Sequence, residues 1–256
     1  MATQVKDFGK ITTNVFENDS DYKKNAGYHN SFYRGKNLGT SVTAAQYAEI
    51  SAGTFADMFI GDYWVIGGYN WRIAAFDYWL RSGDTECTKH HVVIVPDTNL
   101  DTQKMNDSNV TTGAYVGSKM YTDYMATAKS KITSAFGAAH ILSHREYLQN
   151  AVTNGRPSGG GWFDSTVELM SEQMVYGGKV LAPTSDGSTV PNLYTVACKQ
   201  LNLFRYRPDL ISNRQTFWLR DVVSATHFAN VGYDGLAFCR GASDSPGVRP
   251  VFSIAA

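Results

Sequence analysis

Apolar and polar positions alternate along this chain in a way that divides it into strand-like, then helix-like, then again strand-like stretches. Asp62-Tyr-Trp-Val-Ile66 and Trp71-Arg-Ile-Ala-Ala-Phe76 flank Gly67-Gly68, which predicts a β-hairpin turning on the glycine pair. His91 to Val95, closed by Pro96, predicts a buried strand. Thr43-Ala-Ala-Gln46 is a capping box that opens a short helix ending at Gly53. Tyr121, Tyr124, Met125, Ala128, Ile132, Ala135 and Phe136 recur at helical spacing, so a helix is expected across 118–136 with its stop at Gly137. Ser143-His-Arg-Glu146 and Ser165-Thr-Val-Glu168 repeat the capping-box pattern and predict helices toward Asn154-Gly155 and toward Gly177. Arg156-Pro-Ser-Gly-Gly-Gly161 between them reads as a flexible loop, and 180–183, 193–196 and the C-terminal block read as strands. The order of elements suits one α+β domain with helices clustered beside a twisted sheet. Residues 1–31 are polar and read either as an arm for attachment or oligomerisation or as a frayed tail, with the folded body spanning 32–256.

The C-terminal block carries the most information. Phe217-Trp-Leu-Arg220, a run from His227 to Phe238 around a Tyr-Asp-Gly turn, and Gly247-Val-Arg-Pro-Val-Phe-Ser-Ile254 predict a small sheet of short strands. Trp218, Arg220 and Arg249 are its expected structural anchors, because a guanidinium withdrawn from water needs carboxylate or carbonyl partners. Direct ligand capture by the arginines is the alternative. Between these anchors the hairpin (about 217–250) offers Ser224, His227, Asn230, Tyr233, Asp234, Phe238, Arg240, Ser243 and Asp244 on strands and turns. They form either a recognition face, diverse side chains on a rigid support, or a plain surface hairpin.

The Trp-Leu-Arg strand, the glycine-bearing hairpin and the closing Gly-Val-Arg-Pro strand resemble the end of C-type-lectin-like domains of bacteria and their phages. That branch shares its fold with formylglycine-generating enzymes and includes the variable proteins of diversity-generating retroelements, such as phage tropism determinants. Phe32-Tyr-Arg-Gly-Lys-Asn-Leu-Gly39, His140-Ile-Leu-Ser-His-Arg-Glu-Tyr-Leu148 and Trp162-Phe-Asp-Ser-Thr-Val-Glu-Leu-Met170 resemble segments of proteins from phages and prophages of gut bacteria. The resemblance implies a C-type-lectin-like fold of short twisted antiparallel strands, flanking helices and an enlarged middle. It also implies a non-catalytic virion protein of receptor-binding or adhesin type, with the nine hairpin residues facing the ligand and open to diversification. The partner would be a host-surface protein or glycan, or another virion protein. A homotrimer is the expected assembly, since multivalency raises avidity. The alternative is a structural virion component, a capsid decoration or tail-fibre adaptor.

Composition narrows the remaining classes. The chain has 256 residues with 23 basic and 23 acidic side chains interspersed, so it lacks the field that nucleic-acid or anionic-membrane binding exploits. Aromatics are 13% of residues, which suits a recognition surface or, equally, an uneven core. Cys87, Cys198 and Cys239 are odd in number and scattered, so neither a disulfide framework nor the close cysteine pair of formylglycine-generating enzymes is expected. No signal-peptide pattern opens the chain and no apolar run is long enough to span a membrane, so a chain made in the cytoplasm and carried on a particle is expected.

Enzyme and metal motifs are weak throughout. His140 and His144 lack the glutamate of a zinc-protease helix, and His90-His91 would point to opposite faces of a strand. Asp97-Thr-Asn-Leu-Asp101 starts like a calcium loop without the required Gly or Glu, and the sugar-binding calcium motifs of C-type lectins are missing. Asp164 and Glu168 could pair as acid and base, but Glu168 is more economically the reciprocal half of the Ser165 cap. No catalysis, cofactor or metal is expected.

Overall fold

The computed structural model describes residues 24–183 and 200–256, which form a mixed α+β body dominated by short strands, mostly antiparallel. In the first sheet β1 (Tyr63–Ile66), β2 (Tyr69–Phe76), β3 (Val92–Pro96), β12 (Pro250–Ile254) and β7 (Val167–Leu169) lie side by side in that order. The β1–β2 hairpin turns on Gly67 and Gly68, whose φ angles of 60° and 81° are the left-handed pair that a two-residue loop needs. All residues of β3 and β12 are buried, so the centre of this sheet is covered on both faces.

The second sheet is built around the C-terminal block. Its order is β10 (Ala237–Gly241), β9 (His227–Val231), β8 (Phe217–Val222), β11 (Gly247–Val248) and β4 (Asp101–Thr102). A separate ribbon pairs β5 (His144–Thr153) with β6 (Arg156–Ser165). The helices are α1 (Ala26–His29), α2 (Ala44–Ala52), α3 (Ala126–Phe136), α4 (Glu172–Tyr176) and α5 (Asn202–Tyr206). Thr43 and Gln46 close the expected capping box at the start of α2, and Gly53 ends that helix at φ 69°. The helix expected across 118–136 begins instead as a π turn over Met120–Tyr124. It becomes α-helical in α3, whose Ala128, Ile132 and Phe136 face the core.

Several expectations are corrected. The Ser143 and Ser165 patterns do not open helices. Ser143 leads into strand β5, where His144, Glu146 and Leu148 alternate inward. Asn154 and Gly155, at φ 51° and 74°, are the turn of the β5–β6 hairpin, not a helix end. The glycine run 159–161 is strand, not loop, because Tyr147 lies across it: a Cβ on Gly160 would sit 2.4 Å from the tyrosine ring. Glu168 belongs to β7, and α4 starts later, where the Ser171 hydroxyl accepts the Met174 N–H. Residues 180–183 are not a strand; the N–H groups of Val180, Leu181 and Ala182 donate to the Glu172 carboxylate. The expected strand 193–196 lies outside the described residues, as do residues 1–23 of the proposed arm. The rest of that arm packs: His29 is buried, and Asn30 exchanges two hydrogen bonds with the backbone of Phe76.

A buried polar network joins the three sheets. Arg220 of β8 donates to Glu146 of β5 at 2.5 Å. The Glu168 carboxylate of β7 accepts the Tyr115 hydroxyl at 2.8 Å and the Ser165 hydroxyl at 3.1 Å. Burial, then the charge of Glu146, pushes the Glu168 carboxyl up to about 7. Burial acts most strongly on Glu146 and would raise it, but Arg220 and His144 together outweigh burial and hold that carboxyl below its ordinary value. His91 is buried and neutral: its Nε2 accepts the Trp79 N–H and its Nδ1 faces the Lys89 carbonyl, with burial pulling the pKa down to about 4.

These shifts give opposite pH slopes. Glu168 is raised on folding, so its contribution is full below its ordinary pKa of 4.5 and is lost as pH climbs to about 7. His91 is lowered, so its contribution is full above 6.5 and is lost as pH falls toward about 4. The stability advantage of the wild type over Glu168→Gln should therefore shrink by about 3 kcal/mol as pH rises across the Glu168 window. Denaturant unfolding of both proteins over a pH series measures this, and a pH-independent difference would refute it. Arg220→Met should cost about 3–5 kcal/mol by leaving Glu146 buried and unpaired, and adding Glu146→Leu should recover most of the loss. The same unfolding assay tests both variants.

Candidate functional site

The β9–β10 hairpin is held by local chemistry at its turn. Gly235 sits at φ 89°, its N–H donates to the Gly232 carbonyl, and the Gly232 N–H donates to the Leu236 carbonyl. Asp234 accepts the Leu236 N–H through its side chain, closing an Asx turn. Two outside groups pin the loop: the Ser212 hydroxyl donates to the Tyr233 carbonyl and the Tyr176 hydroxyl to the Gly235 carbonyl. On this fixed support Tyr233, Leu236 and Phe238 are 71%, 64% and 60% exposed, so three large apolar side chains face outward within six residues. Phe238 and Arg240 share one face of β10, being two residues apart on a strand.

Beside Arg240 lies an open polar groove of about 630 Å³. Arg240 and Asp244 line it from the hairpin side, and Asn99, Asp101, Thr102 and Gln215 line it from two other stretches of the chain. The loop after β10 is tied down by Asn109, whose side-chain oxygen accepts both the N–H and the hydroxyl of Ser243. Gly247 lets Asn99 come close: a Cβ there would lie 1.8 Å from Asn99 Nδ2.

The nine expected residues separate into three groups. Tyr233, Asp234, Phe238, Arg240 and Asp244 are exposed along the hairpin and groove. Ser224 and His227 are half-buried at the opposite end of β9, where the Thr226 hydroxyl meets His227 Nδ1 and the Ser224 carbonyl accepts from Thr111. Ser243 is half-buried and consumed by Asn109. Asn230 is a correction: it is buried, in mid-sheet between Trp218 and Phe238, and donates to the carbonyl of Val231. Sequence reasoning passed over Leu236, although it directly follows the Tyr-Asp-Gly turn. It also weighed Asp97 to Asp101 only as a calcium loop, while Asn99 and Asp101 line the groove.

Trp218 is fully buried with its indole N–H on the Gln103 carbonyl. Arg249 is buried and has no carboxylate in contact among the described residues: it donates to the carbonyls of Pro96, Leu210 and Ile211 and lies over the rings of Phe217 and Phe204. Burial brings its pKa down to about 10, so it remains a cation near neutral pH. His140 stacks on Tyr47 and His144 on Trp79. Among the described residues no group of three or more His, Cys, Asp or Glu side chains could hold a metal ion, and no helix is long and apolar enough to cross a membrane. Comparison with protein-family models, with curated proteins and with solved structures finds no match for this chain.

A pinned turn separates the residues that shape the face from those it displays. Tyr233→Ser and Phe238→Ser should each change unfolding free energy by no more than about 0.5 kcal/mol. Gly235→Ala should cost about 1–2 kcal/mol, since it forces a side chain into positive φ and brings a Cβ to 3.2 Å from Ser212. Equal losses from all three in thermal or denaturant unfolding would show that the exposed rings are structural.

Proposed function

We propose that this chain is a non-catalytic recognition protein with a C-type-lectin-like fold, carried on the particle of a phage or prophage and binding a host-surface partner through its C-terminal hairpin. The observation that carries the reading is the pairing of an apolar ridge on a pinned turn with a polar groove directly beside it. Tyr233, Leu236 and Phe238 supply contact area that loses little entropy on binding, while Arg240, Asp244, Asn99 and Asp101 supply directional hydrogen bonds. The fold reading is supported by the arrangement of the strands. The last strand, β12, lies inside the first sheet between β3 and β7, and the second sheet, drawn mostly from the C-terminal block, carries the displayed hairpin. The ribbon β5–β6 corresponds to the enlarged middle.

Catalysis is not part of this reading, because no described group with a strongly shifted pKa lines the groove: Glu168, His91 and Arg249 are buried in the packing, and the exposed Asp107 and half-buried Arg145 are shifted by ion pairs elsewhere. Multivalent display, as a homotrimer, would raise a modest single-site affinity. A second reading, a structural component that packs on another virion protein, draws on Leu236: a large exposed aliphatic side chain suits a permanent protein interface.

A purified variant carrying Tyr233→Ser, Phe238→Ser, Arg240→Ala and Asp244→Ala together should lose binding to intact host cells and keep the wild-type melting temperature within a few degrees. Flow cytometry with labelled protein and a thermal scan measure both. Wild-type protein that binds disrupted virions and ignores cells would favour the structural reading. Loss of folding in the variant would remove the support for a separable binding face.

A further inference from the structure

Among the described residues β10 is the outermost strand of the second sheet, and its outer edge carries few of the usual defences. The main chain of Ala237 to Arg240 hydrogen-bonds to β9, and no other described residue reaches it. Soluble proteins commonly blunt such edges with charge, proline, a bulge or a covering segment. β10 has no proline, pairs with β9 without a register shift, and carries a single charge at Arg240. Arg240 forms no ion pair with a described residue, although it is exposed on the same face as Phe238. The opposite parity holds Ala237, Cys239 and Gly241, all small, so nothing bulky on that side blocks a neighbouring strand.

We propose that an extended segment of the target protein adds to the free edge of β10 as a further strand, setting an apolar side chain against Phe238 and, two residues along, a carboxylate against Arg240. In this mode the main chain supplies general affinity and alternate side chains supply selectivity. The unpaired guanidinium supplies the charge preference, since its forked donors match a carboxylate. The inference rests on the hairpin being the binding face and names its partner as polypeptide. Only a polypeptide strand matches the regular alternation of N–H and C=O groups along such an edge, and an exposed Leu236 beside Phe238 favours an apolar protein side chain over a sugar ring.

The test uses the full chain and a capped peptide of alternating threonine and valine, with one valine replaced by leucine and the next valine by glutamate. Hydrogen exchange should show that the amides of 237–241 gain protection as the peptide saturates the protein. Replacing the peptide's glutamate by lysine, or introducing Arg240→Glu in the protein, should weaken binding by about tenfold or more. Making both charge changes together should restore it. N-methylation of the peptide's main chain on the side facing β10 should abolish protection while leaving its side chains intact. Equal binding by the N-methylated peptide, or saturation without protection of 237–241, overturns strand addition. Protection that rises with protein concentration alone, with a matching change in mass by light scattering, also overturns it by giving the edge to a second copy. If the four-residue hairpin variant loses cell binding while the peptide gives no protection, the binding face stands and only strand addition fails. Peptide protection without any cell binding gives the reverse.

Discussion

One buried ion pair, Arg220 with Glu146, decides how the ribbon sits against the hairpin sheet. It joins β8 to β5, and Glu168 of β7 brings the main sheet to the same place through Tyr115 and Ser165. Such a pair is a poor source of stability. Taking two charges out of water costs more than an equally well-packed apolar pair would, and here the satisfaction is incomplete: Glu146 Oε2, Arg220 Nη1 and both ring nitrogens of His144 have no hydrogen-bond partner among the described residues. What the pair contributes is geometry. An apolar contact tolerates sliding, whereas a guanidinium held on a carboxylate at 2.5 Å accepts one alignment of β8 against β5.

From that alignment the displayed face follows by short steps. β8 pairs with β9, and β9 carries β10. Arg249 holds the other side: its guanidinium gathers the carbonyls of Leu210 and Ile211, and the next residue, Ser212, donates to the carbonyl of Tyr233 at the hairpin turn. A buried cation thus reaches the exposed turn through one loop. Neither arginine touches the proposed partner, yet both fix where Tyr233, Leu236 and Phe238 stand. That division lets Tyr233, Leu236 and Phe238 vary without disturbing the core, because the turn is held by main-chain carbonyls, by Gly235 and by the Asp234 carboxylate, not by those three side chains.

How much of this could be read from the residues depends on how local each signal is. The Gly67-Gly68 hairpin, the Thr43 capping box, the stop at Gly137 and the strands of the C-terminal block are short-range features, and they form where expected. The Ser143 and Ser165 patterns are equally short-range, but tertiary pairing overrides them. Asn154-Gly155 is a strong two-residue turn, and the glycine run opposite β5 admits Tyr147, so a ribbon wins over a helix. The site was legible on its hairpin side only. Asn99 and Asp101 enter the groove from more than a hundred residues upstream of Arg240, a juxtaposition that no local pattern encodes. Asn230 shows the converse error. Its polarity suggested exposure, but it lies on β9, flanked in register by Trp218 of β8 and Phe238 of β10, and is buried.

An exposed apolar edge has a cost that needs a reason. Phe238 and Leu236 raise the hazard of edge-to-edge aggregation, and folding gains nothing from them, since each is more than half in water. The nearby alternatives were cheap: lysine or threonine at either position would keep the hairpin, whose register is set by Gly232, Asp234 and Gly235. The single charge on this edge, Arg240, limits unselective pairing without preventing it, because it repels basic strands and attracts acidic ones. A ridge that stabilises nothing, on a turn pinned by two outside groups, beside a groove rich in hydrogen-bonding groups, is costly as a surface and coherent as a contact. Under the proposed strand addition, selectivity would lie in the alternation of Phe238 and Arg240, with the main chain between them supplying the part of the affinity that every partner shares.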